Sequence, residues 1–131
     1  MHSKKLKAFS LMEVIITLVI IGILVAVLTP AYNSYITKSQ RSDAIKSIAN
    51  LQVLEEKYRL NNTSYGSLAQ LGATSASLSG YYTMGISNVT ASSYTITATA
   101  GSEQSSDTGC TTMSIAYANG TSTKNVPNCW Q

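Results

Sequence analysis

The 131-residue chain is short of the side chains that do chemistry. Its single histidine, His2, stands at the N-terminal end, so no Ser-His or Cys-His nucleophile and no histidine-rich metal cluster can be assembled. No glycine motif of the kind that cradles phosphates is present. The two cysteines, Cys110 and Cys129, lack Cys-x-x-Cys spacing, which argues against a redox pair. From Asn62 onward the one basic side chain is Lys124, set against Glu103 and Asp107. That half of the chain is therefore slightly acidic and a poor platform for neutralising nucleic-acid phosphates. The two acids are read as solvated loop residues rather than a calcium site, and no metal or cofactor is expected. These shortages speak against an enzyme.

What the chain has in excess is hydrocarbon near its start. Phe9 to Leu28, FSLMEVIITLVIIGILVAVL, holds fourteen Leu, Ile, Val or Phe side chains in twenty residues. As an α-helix it covers about 30 Å, the thickness of a bilayer's hydrocarbon core. Its one acid is Glu13. At roughly −0.3 to −0.6 kcal/mol each, the apolar residues outweigh a penalty of about 3 kcal/mol for one ionisable group, so insertion is expected despite it. A charge kept at that cost points to a function. Alternative readings are a protonated Glu13 or one that snorkels to the membrane face.

Lys4, Lys5 and Lys7 precede this segment; without residues 1–8 the remaining six basic and six acidic side chains cancel. MHSKKLKA has the charge of a signal-peptide leader, but the Thr-Pro-Ala-Tyr run after Leu28 is a poor fit to ordinary secretory cleavage. A plain uncleaved anchor, with its lysines held in the cytoplasm, is the simplest physical reading. Either way residues 29–131 lie outside the cytoplasm.

Beyond Leu28 the pattern changes. Pro30 removes a backbone donor, and with Gly22 it marks a place where a kink or local melting is expected. Ala44, Ile48, Leu51, Leu54 and Tyr58 then recur at helical spacing, while Lys46, Glu55, Glu56 and Arg59 fall largely elsewhere around the helix. The helix should stop near Asn61-Asn62. Residues 62–79 show no clear period and read as a loop lying on the helix or a sheet. Strands are expected around Tyr81–Ile86, Tyr94–Thr99 and Thr111–Tyr117, with Asn119-Gly120 turning the chain into Thr121–Lys124. An α+β fold follows: one long helix packed on a small antiparallel sheet of three to four strands. In a small domain outside the cytoplasm a Cys110–Cys129 disulfide is favoured, worth about 3 kcal/mol in the chain-entropy picture. Asn-x-Ser/Thr matches at Asn61, Asn62, Asn88 and Asn119 are weak signs of a surface location.

KKLKA followed by FSLMEVIITLVIIGILVAVLTPAY resembles the type III signal of type IV pilins and pseudopilins. NLQVLEEKYRLNNTSYGSLAQL, GYYTMGI, SYTITATA, GSEQSSDTGCTTMSI and the terminal Cys-Trp are similar to PilE- and ComP-type minor pilins. The resemblance implies cleavage between Ala8 and Phe9 by a prepilin peptidase, although the family usually has glycine where Ala8 stands, and N-methylation of Phe9. Glu13 then meets the new ammonium group of a neighbouring subunit and sets register during assembly, a pairing that a carboxylate in a low-dielectric bundle needs. Four segments are implied: a leader (1–8), a membrane and assembly half of the helix (9–28), an amphipathic half (29–61) and a sheet domain with a cysteine-closed loop (62–131). The expected partners are other pilin subunits in a helical fibre, the prepilin peptidase, and the inner membrane before assembly. The expected place is the inner membrane as a prepilin, then the extracellular pilus. Adhesion, twitching motility, assembly priming and competence are the roles such a subunit serves. Two alternatives stand beside a minor structural pilin: a DNA-uptake pilin, disfavoured by charge, and a type II secretion pseudopilin, disfavoured by the cysteine pair.

Overall fold

A computed structural model describes residues 7–131. Most of the expected leader, residues 1–6, lies outside the described residues. One helix, α1 (Leu11–Arg59), is followed by β1 (Tyr82–Ser87), β2 (Ser93–Ala100), β3 (Thr112–Ala118) and β4 (Thr121–Lys124). Single 3₁₀ turns occupy Ser102–Gln104 and Pro127–Trp130. The chain divides after Tyr35 into two units.

In the first unit α1 is apolar on every face, and none of its most apolar stretch is buried in the chain. It is long and apolar enough to cross a membrane by length and composition. The helix runs unbroken through Gly22 and Pro30.

The second unit begins within α1, where Asp43, Ala44, Ser47, Ile48, Leu51 and Glu55 form a buried stripe at helical spacing. The four strands make an antiparallel meander in the order β1-β2-β3-β4. Alternation points Tyr82 and Met84, then Tyr94, Ile96 and Ala98, then Met113 and Ile115, into one core with Ala44, Ile48 and Leu51. Ile96 pairs with Ile115 and Ala98 with Met113. A one-residue slip would turn these side chains to water, so burial holds the register. Asn119 and Gly120 both have positive φ, 49° and 85°, the geometry of the two-residue hairpin expected between β3 and β4.

Two expectations need correction. Glu55 does not lie away from the apolar stripe; it is fully buried within it. Asp107 is not a solvated loop acid but a buried one. Both are retained because each meets a donor from a distant stretch of chain, which periodicity does not reveal.

The aperiodic loop after α1 is well tied down. Tyr65 enters the core against Tyr94 and Tyr117, ring centroids 4.7 Å and 5.6 Å away. Ala76 bridges to Thr83 beside β1.

Candidate assembly helix and buried-acid clasps

The start of α1 carries the residues expected to act in processing and assembly. Ala8 and Phe9 are exposed, in non-helical backbone just ahead of Leu11. The first helical bond runs from the Val14 N–H to the Ser10 carbonyl, 3.2 Å. Glu13 sits in the first turn, where a negative charge is favoured by the helix dipole, and it is exposed. The Glu13 backbone carbonyl accepts the Thr17 hydroxyl at 2.7 Å, one turn further along the helix. A Cβ at Gly22 would meet nothing within 4 Å among the described residues.

In the second unit three buried acids act as clasps on successive stretches of chain. Asp43 accepts hydrogen bonds from the Ser77 hydroxyl, the Ser79 N–H (2.8 Å) and the Tyr81 N–H (3.3 Å). Ser77 in turn accepts from the Tyr82 N–H at 3.0 Å, so the residues entering β1 are held to the helix. One oxygen of Glu55 accepts the Gly66 N–H at 2.8 Å, while its other oxygen has no partner. Burial raises the Glu55 carboxyl above its ordinary range, opposed by the Gly66 bond and reinforced by Glu56. Asp107 takes both prongs of the Arg41 guanidinium. Gln104, on the same turn, donates to the Thr37 carbonyl at 2.7 Å.

The cysteine pair closes the C-terminus. Cys110 and Cys129 are joined, with Cα atoms 5.6 Å apart. Inside this loop the Asn125 side chain accepts the Ser114 N–H at 2.6 Å and donates to the Thr112 carbonyl. Trp130 donates through Nε1 to the Asn125 carbonyl at 2.7 Å, and the Lys124 ammonium lies 4.9 Å from its ring centroid. Val126 is forced to φ 36°, a strained value for a β-branched residue, between these contacts and the bridge.

Burial of the acids changes the electrostatic picture. Lys38, Lys46, Lys57 and Lys124 are exposed and Arg59 half-exposed, whereas only Glu56 and Glu103 remain as exposed acids in the second unit. Exposed cationic side chains therefore outnumber exposed acidic ones in this unit, because Asp43 and Glu55 are buried while the Arg41–Asp107 pair removes one charge of each sign.

One long N-terminal helix packed on a four-stranded antiparallel sheet is the α+β architecture of type IV pilins. A family profile described as "Type IV minor pilin ComP, DNA uptake sequence receptor" matches residues 30–114, and one described as the prokaryotic N-terminal methylation motif matches residues 3–29. The chain belongs to the ComP family of type IV pilins. It is 37% identical over 78 residues to a fimbrial protein of Neisseria meningitidis serogroup B, covering 58% of this chain and 46% of that one. It is 37% identical over 83 residues to the type IV major pilin protein PilE of Neisseria gonorrhoeae, covering 58% and 47%. With the type IV major fimbrial protein FimA of Dichelobacter nodosus it shares 45% identity over 47 residues, 36% of this chain and 29% of that one. The chain thus spans about half the length of the two Neisseria relatives, 46% and 47%.

Proposed function

We propose that this chain is a structural subunit of a type IV pilus, made as a membrane-inserted prepilin and assembled through its N-terminal helix into an extracellular fibre. The observation that carries the reading is a helix apolar on every face and unburied within its own chain. Such a surface needs lipid first and neighbouring helices afterwards. In this reading residues 1–8 are a leader removed by a prepilin peptidase at the exposed Ala8–Phe9 bond. Phe9 becomes the methylated N-terminus, 9–28 the assembly segment, 29–61 the amphipathic support and 62–131 the displayed domain. Glu13 pairs with the ammonium of a neighbouring Phe9, and Gly22 and Pro30 are the points where the helix bends during assembly.

Glu13→Val and Glu13→Gln, expressed with the pilus machinery, test it. Both should insert at the parental level yet be depleted from sheared fibres. Gln keeps the size and polarity of the side chain and removes only its charge, so equal loss in the two variants assigns the effect to charge. Parental incorporation of either, or a mature polypeptide beginning at Met1 by mass spectrometry, overturns the reading.

Binding of duplex DNA is a second reading, favoured by the profile's description and by the surplus of exposed cations over Glu56 and Glu103. Titration of the full-length protein in detergent at rising salt tests it. Affinity that falls steeply with salt supports phosphate contacts. No binding at low salt removes this reading and leaves the first untouched.

A further inference from the structure

Eight tyrosines occur in the chain, all among the described residues. Tyr65, Tyr82 and Tyr94 are buried and Tyr58, Tyr81 and Tyr117 half-buried, so six of the eight pack in the second unit. Tyr32 and Tyr35 differ: they are 62% and 69% exposed, on neighbouring positions of one helix face. Among the described residues, nothing in their own unit covers them.

Their place along α1 identifies what does. The apolar run from Phe9 to Leu28 spans about 30 Å as a helix, and Tyr32 and Tyr35 lie about 6 and 10 Å further along the axis. The headgroup layer occupies roughly 5 to 7 Å on each side of the hydrocarbon core. The Tyr32 backbone therefore falls within that layer and the Tyr35 backbone about 3 Å beyond it, from where its ring reaches back toward the headgroups because helical side chains tilt toward the N-terminus. At the other end Lys7 is exposed. The helix from Leu11 to Tyr35 alone measures about 36 Å, which covers the hydrocarbon core and one headgroup layer. A phenol ring with one apolar body and one hydroxyl suits this boundary, whereas an aliphatic or charged side chain suits only one side of it.

We infer that Tyr32 and Tyr35 form an interfacial anchor that binds the lipid headgroup layer and sets the depth of the helix before assembly. The inference rests on the membrane-inserted reading of the preceding section. Removal of a subunit into a fibre must strip both rings from the headgroups, so the pair also opposes extraction.

The full-length protein, reconstituted in phosphatidylcholine vesicles brominated at shallow or deep acyl positions, provides the test. Single-tryptophan versions carry Tyr35→Trp or Ile20→Trp, each with Trp130→Phe. Because Trp130 is hydrogen-bonded to Asn125, a parallel set retains it and subtracts its emission. Tyr35→Trp should shift to the blue on reconstitution and be quenched more by shallow than by deep bromines, with Ile20→Trp showing the reverse order. Adding Tyr32→Ala and Tyr35→Ala to Ile20→Trp should erase its preference for deep bromines. An unquenched Tyr35→Trp beside a quenched Ile20→Trp overturns the anchor and leaves membrane insertion standing. So does an Ile20→Trp profile indifferent to the alanine pair, including the case where that pair lowers only fibre yield. If Ile20→Trp is also unquenched and the protein fails to float with vesicles, the membrane reading itself has failed.

Discussion

Arg41 on the helix and Asp107 on the turn before β3 form a two-pronged ion pair, Nε to Oδ2 at 2.9 Å and Nη2 to Oδ1 at 2.6 Å. Their side chains are only 14% and 6% exposed, although 66 residues separate them. The Asp107 carboxylate strengthens the hold of Arg41 on its proton, by hydrogen bonding more than by charge. Asp107→Ala leaves a poorly hydrated guanidinium without its partner and should cost about 3 kcal/mol in denaturant unfolding of the full-length protein. Arg41→Met combined with Asp107→Leu should recover most of that loss. A double variant as unstable as the single one would show that the pair is not the source.

Glu55 makes stability depend on pH in a definite direction. Its folded carboxyl titrates above the ordinary 4.5 because burial disfavours the charged form. The folded state therefore holds a proton that the unfolded chain has already released. The group's contribution is complete below about 4.5 and is lost as pH rises through the higher folded value. Glu55→Gln keeps an acceptor for the Gly66 N–H and removes the charge. It should be more stable than the parent at neutral pH, with the difference shrinking as the pH is lowered, as followed by thermal melts.

Tyr94 repeats the effect at the alkaline end. Its phenol is pushed from 10.0 to about 12, chiefly by burial and against the opposing influence of the nearby Gln52 amide. Stability tied to this group is complete below 10.0 and lost as pH climbs through about 12. Tyr94→Phe should flatten this part of the alkaline unfolding curve, and phenolate absorbance should show one fewer late-titrating tyrosine.

The Cys110–Cys129 bridge, with a sequence separation of 19, closes a loop that includes the β3–β4 hairpin. Replacing both cysteines with serine should cost about 3 kcal/mol and lower the melting temperature, while secondary structure at low temperature stays close to the parental far-ultraviolet spectrum. An unchanged melting temperature would place the stability of this loop in Asn125 and Trp130 instead.

Much of the fold was legible. The switch from an all-round apolar run to a one-sided stripe marks the two parts of α1. Alternation around Tyr94–Thr99 places β2 within a residue at each end, at Ser93–Ala100. The Asn119-Gly120 pair names its own turn, because it supplies two residues that tolerate positive φ. The clasps were not legible. Asp43, Glu55 and Asp107 look like surface charges until Ser77, Gly66 and Arg41 arrive from 34, 11 and 66 residues away. Tyr65 and Ser77 sit in a stretch with no period, where neither template applies.

The amino-acid sequence alone determined the apolar helix, its lone acid, the strand alternation and the family, because these are local patterns whose physical meaning does not wait for a partner. Which charges are spent inside the protein, and therefore which sign faces water, was decided only by tertiary structure. A carboxylate is tolerated in a core only where folding brings it a donor, and chain order alone does not show which donor that will be.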